Sequence, residues 1–72
     1  MIDWSSCSAV ERSADKVSGA WLFVGTRVPV AALFENLEDE VSIQEYLGCF
    51  PGVTLEQTRA VLDHAARSAM VA

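Results

Sequence analysis

The spacing of apolar positions changes once along the chain, and the change divides it into two parts. Before residue 25, short apolar runs such as Trp21 to Val24 have the length and residue types of strands. From residue 29 onward, apolar residues recur three and four positions apart, as on one face of a helix. The pattern predicts a mainly α fold with short N-terminal strands: an arm over 1–8, a β-arm over 9–24, and helices over about 29–37, 42–49 and 54–70.

The two parts meet at Gly25-Thr26-Arg27-Val28-Pro29-Val30. Gly25 can adopt positive φ and end a strand sharply, and Pro29 suits the first position of a helix. Two interpretations of the residues between them stay open. In the first, Arg27 pairs with a carboxylate and Thr26 bonds the backbone at a purely structural corner; in the second, Arg27 is exposed and held for a phosphate.

Polar residues mark the starts of the second and third helices. Ser42 with Glu45, and Thr54 with Gln57, have the spacing of capping boxes. The predicted inward stripes are Val30, Leu33, Phe34 and Leu37 in the first helix, Ile43, Tyr46, Leu47 and Phe50 in the second, and Leu55, Thr58, Leu62, Ala65 and Ala69 in the third, with Val61 beside them. A short turn before a capped third helix is what a helix-turn-helix needs, although any three-helix bundle has it.

The 72 residues, of which 51% are hydrophobic, make one small domain, and a domain this small often buries apolar surface against a second copy. We therefore expect a homodimer. The N-terminal arm is predicted to be ordered only if something covers Trp4. No apolar run is as long as a membrane span, and the acidic start is unlike a signal peptide, so the predicted location is cytoplasmic.

Metal, cofactor and enzyme sites are not predicted. Cys7 and Cys49 form no metal-binding motif; Cys49 is expected to be a small buried residue and Cys7 a bystander in the arm. Asp63 and His64 are adjacent and would point apart on a helix, and no serine or cysteine has an evident base. We expect neither enzymatic activity nor a small-molecule substrate.

The net charge of −5 is concentrated in the middle of the chain. Residues 29–53 contain no basic residue and five acidic ones: Glu35, Glu38, Asp39, Glu40 and Glu45. This segment cannot form a nucleic-acid surface, but it suits a protein partner with a basic face.

Three stretches together resemble the VapB-type antitoxin family, long catalogued as a domain of unknown function, number four hundred and thirty-three. They are the corner at 25–30, Ser-Ile-Gln-Glu-Tyr-Leu at 42–47, and Phe-Pro-Gly-Val-Thr-Leu-Glu-Gln-Thr-Arg-Ala-Val-Leu at 50–62. The resemblance covers about residues 9–67. It implies a homeodomain-like helix-turn-helix that dimerises, acts as an antitoxin beside a PIN-like nuclease toxin, and binds its own operator DNA.

The chain departs from this family at two places. Glu40 stands where the family usually has glycine between the first two helices, and positive φ there would cost about 1 kcal/mol. Gly19-Ala20-Trp21 replaces a Gly-x-Pro before the second strand, which alters packing near Trp21.

A helix-turn-helix would bring the start of the third helix to the bases, namely Thr54, Glu56, Gln57 and Ala60. Gln57 is a candidate to bind adenine, or serves the capping box alone. Candidates for phosphates are Arg27, Arg59 and Arg67.

Trp4 and Trp21, with Ile2, are candidate contacts to a protein partner; alternatively, the tryptophans belong to the core or the dimer interface. The function predicted is thus an antitoxin-like protein that binds a PIN-like toxin and, through the helix-turn-helix, operator DNA. The alternative is a protein-interaction or dimerisation module without DNA binding.

Overall fold

The computed structural model describes residues 2–13, 15 and 19–71, and it contains a short sheet followed by three helices. Strands β1 (Val10–Arg12) and β2 (Trp21–Phe23) pair antiparallel within the chain. The helices are α1 (Val30–Glu38), α2 (Ile43–Cys49) and α3 (Leu55–Val71). The predicted mainly α fold with short N-terminal strands is confirmed. Within the β-arm predicted over 9–24, residues 14 and 16–18 lie outside the described residues.

The helix starts follow the predicted capping chemistry. The Ser42 hydroxyl accepts the Glu45 N–H at 3.1 Å while the Glu45 carboxylate accepts the Ser42 N–H at 3.3 Å. At α3 the Gln57 N–H donates to the Thr54 hydroxyl at 3.1 Å. Pro29, predicted as the first helical residue, instead precedes the helix, since its ψ of 142° is extended. Its ring still fixes the direction in which α1 begins.

The link between α1 and α2 contains a strained residue. Glu40 has φ of +65°, the left-handed conformation that favours glycine. Around it the Val41 N–H donates to the Asn36 carbonyl at 2.9 Å and the Glu40 N–H to the Leu37 carbonyl at 3.0 Å, so α1 ends in a Schellman motif. The position at which the chain departs from the family's glycine therefore does have positive φ, the condition under which we expected a cost.

The core lies between the sheet and the inner faces of the helices. Its fully buried side chains are Leu22, Phe23, Leu33, Tyr46, Thr58 and Val61. Thr58 is satisfied because its hydroxyl donates to the Thr54 carbonyl at 3.0 Å. Two residues predicted to face inward do not: Leu55 is 47% exposed and Ala69 is exposed. Leu55 lies about 90° around the helix from the line between Thr58 and Val61, and Ala69 lies more than two turns beyond Val61.

The two cysteines take the opposite places from those predicted. Cys7 is buried in the core, because a 3-10 turn at Trp4–Ser6 folds the arm back and the Cys7 N–H donates to the Trp4 carbonyl at 3.0 Å. Cys49 is exposed at the end of α2. Phe50, the next residue, packs on Tyr46 instead, with ring centroids 4.8 Å apart.

Candidate partner-binding groove and the exposed face of the third helix

The N-terminal arm, residues 2–8, is docked on the helices through Trp4. Its indole stacks on the His64 imidazole of α3, with ring centroids 5.2 Å apart and an interplanar angle of 30°. The Phe34 ring of α1 lies 6.2 Å from it on a tilted plane. The condition for an ordered arm, a cover over Trp4, is thus met by two helices.

A second contact between the arm and α3 lies beside that stack. His64 Nε2 donates to the Asp3 carbonyl oxygen at a distance of 2.7 Å. The Ser5 hydroxyl and backbone N–H donate to the Asp3 carboxylate, and they hold the pKa of that carboxyl below its usual value, with a smaller contribution from His64. His64 therefore attaches the arm to α3.

The docked arm forms one wall of an apolar groove of about 470 Å³. The other walls come from β2, the residues before it, and α1. The lining residues are Ile2, Trp4, Ala20, Trp21, Pro29, Val30, Ala31, Phe34 and Glu35. The groove therefore brings together both tryptophans of the chain, the two predicted partner contacts, and both are half-buried.

Charged groups border the groove on two sides. Glu35 is exposed on the α1 side, and Glu38 lies one helical turn further along. On the strand side the Arg12 guanidinium lies over the Trp21 ring, 5.1 Å from its centroid. The two borders thus differ in sign, and the negative one continues along α1.

The acidic band comprises the five carboxylates of residues 29–53, and all of them are exposed: Glu35, Glu38, Asp39, Glu40 and Glu45. The Glu45 carboxylate also accepts a hydrogen bond in the capping box of α2. Among the residues that the structure describes, the one ion pair joins Arg67 to Asp63, so no member of the band is neutralised there.

The exposed face of α3 has the opposite character, because each of its cations has an acidic neighbour. Arg59 is exposed between Glu56, three residues before it, and Asp63, four residues after it. Arg67 Nε lies 3.0 Å from Asp63 Oδ2. The two predicted phosphate contacts on this helix therefore stand in a face with no net charge.

Gln57, the candidate for contact with adenine, makes two hydrogen bonds through its side-chain amide. Its Oε1 accepts the Thr54 N–H at 3.0 Å, and its Nε2 donates to the Val24 carbonyl at 3.0 Å. A paired bond to a base would have to replace both of these. Thr54 itself is exposed, and it lines a shallow pocket with Glu56 and Ala60.

The corner before α1 is held rigidly and leaves Arg27 exposed. The Thr26 hydroxyl donates to the Phe23 carbonyl at 2.8 Å and accepts the Val28 N–H at 3.0 Å, as the structural interpretation predicted. The carboxylate at the corner belongs to Glu11, and it accepts the Gly25 N–H at 2.8 Å. Within the described residues Arg27 has no ion pair, so the carboxylate partner that the first interpretation gave it is not present.

The corner also lies against the link between α2 and α3. A Cβ placed on Gly52 would lie 3.5 Å from Thr26 Cγ2, and the bond from Gln57 to Val24 joins the same two regions. Arg27 therefore directly follows a residue that lies against the α2–α3 link.

Sequence reasoning did not place Phe34, Glu35 or His64 in a site. The spacing of apolar residues in α1 predicted that Phe34 lies in the core. It is only half-buried, because α1 turns it toward the arm. His64 contacts Asp3 across 61 positions of sequence, and no local pattern indicates such a contact.

Within the described residues there is no group of three His, Cys, Asp or Glu side chains that could hold a metal ion. Of the helices that the structure describes, none combines the length and the apolar character that crossing a membrane requires.

Comparison with known families gives a match over residues 10–65 to the family described as a protein of unknown function (DUF433). No curated protein and no solved structure matches the chain significantly.

Proposed function

The chain belongs to the DUF433 family, and we propose that it acts in the cytoplasm as an antitoxin-like protein that binds and blocks a PIN-like nuclease. The observation that carries the proposal is the acidic band: five exposed carboxylates in a segment without any basic residue. A nuclease holds a polyanionic backbone, so cations are expected around its substrate path. An acidic protein that covers this surface competes with the substrate.

The groove supports the same proposal, because electrostatic attraction alone gives on-rate and specificity more than affinity. Stable interfaces centre on buried aromatic residues, and Trp4 and Trp21 are half-buried in one groove next to Glu35. The groove thus offers two apolar contact residues beside an acidic border, which suits a partner whose interface is surrounded by basic residues.

A homodimer is part of the proposal. Leu55 and Met70 on α3 are 47% and 84% exposed, and they are the apolar side chains that a second copy would cover. Sedimentation equilibrium of the free chain tests this. A dimer that Leu55→Glu dissociates would support it, and a monomer at all concentrations would contradict it.

Operator DNA is the second candidate ligand, and one observation favours it. Thr54, Glu56 and Arg59 are exposed at the start of α3, and Arg27 is exposed beside the α2–α3 link, as in a homeodomain-like helix-turn-helix. The compensated charges of α3 predict weak, strongly salt-dependent binding. A gel shift with the chain's own upstream DNA at low salt tests this, and the absence of a retarded band would leave only the interaction role.

The experiment for the main proposal co-expresses the chain with the product of the adjacent reading frame and then measures nuclease activity of the purified pair. We expect growth to be rescued and nuclease activity to fall in proportion to the chain added. Unchanged toxicity and unchanged activity would overturn the antitoxin role.

A matched pair of charge reversals locates the effect. Glu38→Lys/Asp39→Lys reverses part of the acidic band, and Glu56→Lys/Asp63→Lys makes the same change in net charge on α3. The first pair is expected to weaken inhibition about tenfold or more, because it brings like charges together, whereas the second is expected to have a much smaller effect.

A further inference from the structure

We propose that the groove between the arm, β2 and α1 receives a short segment of the partner that carries one large apolar side chain and, about one helical turn away, a lysine or arginine. This inference rests on the proposed function, since the segment belongs to the protein that the acidic band attracts. It adds the chemistry of the contact and the part of the molecule that makes it.

The residues that line the groove indicate that the bound segment carries a large apolar side chain. Eight of its nine lining residues are apolar, and Glu35 is the exception. The volume of about 470 Å³ is in the range of ~300–1,000 Å³ that is usual for binding pockets. A groove of that size between aromatic walls suits one large side chain and the backbone beside it.

The charges at the borders of the groove indicate where the lysine or arginine of the segment lies. Arg12 covers the outer side of the Trp21 ring, so its positive charge repels a second cation on the strand side. Glu35 stands at the opposite border, with Glu38 on the next turn of α1 and Asp39 directly after the helix. A cation of the partner is therefore directed toward α1.

The same charges argue against a second copy of this chain as the occupant. In a two-fold, groove-to-groove dimer, each acidic border would face either the acidic border of the other copy or its Arg12, so the five carboxylates of a copy would meet at most one cation of the other groove. A segment from a basic partner has no such cost.

His64 acts as a positioning residue for the groove. It lies on α3 outside the lining, yet its imidazole stacks on Trp4 and its Nε2 bonds the Asp3 carbonyl at 2.7 Å. Without these contacts the arm wall would lose its attachment to α3. His64→Ala is expected to weaken partner binding several-fold while leaving the environment of Trp21 in the free protein unchanged.

Both tryptophans of the chain lie in the groove, so they report on it directly. We would incorporate fluorotryptophan into the full chain and follow its two fluorine NMR resonances during titration with the unlabelled product of the adjacent reading frame. Calorimetry under the same conditions measures binding independently of site. We expect both resonances to shift and reach a plateau as the partner is added. The dissociation constant from these shifts should equal the one measured by calorimetry.

The charged half of the assignment is tested with Glu35→Lys against Glu56→Lys, which makes the same change in net charge on α3. Glu35→Lys is expected to weaken binding about tenfold and Glu56→Lys no more than about twofold. Equal effects of the two variants would overturn the assignment of a cation at the groove border.

The remaining outcomes separate this inference from the proposed function. Calorimetric binding with neither resonance shifted would overturn the groove as the docking site while leaving the antitoxin role in place. Resonances that shift with the concentration of the chain alone, and still do so in Leu55→Glu, would identify a second copy as the occupant and overturn the inference. Absence of calorimetric binding would contradict both the proposed function and the inference.

Discussion

The groove side of the molecule and the exposed face of α3 both present charged side chains, but they differ in how the charges are arranged. On the groove side, Glu35, Glu38 and their neighbours are exposed without cations beside them in the described structure. On α3, Arg59 and Arg67 alternate with acids, and Arg67 is paired with Asp63 at 3.0 Å. The acidic band beside the groove that holds both tryptophans is unbalanced in charge, whereas the charges on the exposed face of α3 balance each other.

This difference teaches which surface can recognise a macromolecule by charge. Exposed i,i+4 pairs contribute only about 0.3–0.5 kcal/mol and neutralise each other at a distance. An unbalanced patch instead attracts an oppositely charged partner over about 8–10 Å at ordinary salt. The comparison therefore favours a protein partner on the groove side over nucleic acid on α3.

The largest effect expected from the comparison is that of Trp21→Ala. Removal of an aromatic anchor from the centre of an interface typically costs about 2–4 kcal/mol, so partner affinity should fall by about two orders of magnitude, as measured by calorimetry. Arg59→Ala, on the other face, should leave the affinity within about threefold.

Because Trp21 also belongs to β2, Trp21→Phe and a thermal melt accompany this test. The phenylalanine variant keeps an aromatic anchor and should retain most of the affinity. If Arg59→Ala weakened binding more than Trp21→Ala did, the partner would be docking on α3.

The next largest expected effect is an increase in the stability of the chain, produced by Glu40→Gly. It removes the left-handed strain at φ +65° in the link that joins the groove side to the α2–α3 side. The free energy of unfolding in urea should rise by about 1 kcal/mol.

Glu35→Gly is the matched control, because it makes the same substitution with the same loss of charge in the interior of α1. There glycine should lower stability by about 1 kcal/mol. Changes of the same sign in both variants would show that charge, and not backbone strain, governs stability at the end of α1.

Tyr46 lies in the core between the two surfaces, and Tyr46→Phe should have a smaller effect on stability. The Tyr46 hydroxyl is buried and has no hydrogen-bond partner among the described residues. Removing it should leave stability unchanged or raise it by up to about 1 kcal/mol in urea unfolding. A loss of more than that would show that the hydroxyl makes a stabilising contact.

The pH dependence of the same tyrosine gives a second measurement. Burial raises the pKa of Tyr46 above its ordinary 10.0. The unfolded chain therefore releases this proton first, and stability should fall as the pH rises above about 10 and through the folded-state pKa. The loss attributable to Tyr46 should disappear in Tyr46→Phe, with tyrosinate absorbance as the direct readout of its ionisation.

The smallest effect concerns the α3 face. Asp63→Asn removes the partner of Arg67, and if this face contacts DNA, affinity at low salt should rise about threefold, near 0.6 kcal/mol. Asp39→Asn changes net charge equally on the acidic band. An equal gain from both variants would mean that DNA senses only the overall charge of the chain and not this helix face.

Local chemistry made much of the fold predictable. The boxes at Ser42 and Thr54 give helix starts within one residue of those observed, because capping depends only on groups three positions apart. Glu40 was singled out in a different way, because the family that the chain resembles usually has glycine there, and its φ of +65° explains that preference.

Contacts between distant segments were not predictable in this way. Cys7 and Cys49 exchanged their expected places because the arm folds back and Phe50 packs on Tyr46. Leu55 fits an apolar stripe by spacing, but the side of α3 that is covered depends on the sheet and the other helices. The groove itself needs Trp4, Phe34 and His64 from three separate elements, so only Ile2 and the two tryptophans were named from sequence as partner contacts.

The central claim is that the partner docks on the groove side and not on α3. Amide hydrogen exchange of the chain, with and without the product of the adjacent reading frame, tests it most directly. We predict new protection in the arm at 2–8, in β2 and in α1, with α3 unchanged. Protection confined to residues 55–71, with the arm, β2 and α1 unchanged, would contradict the claim.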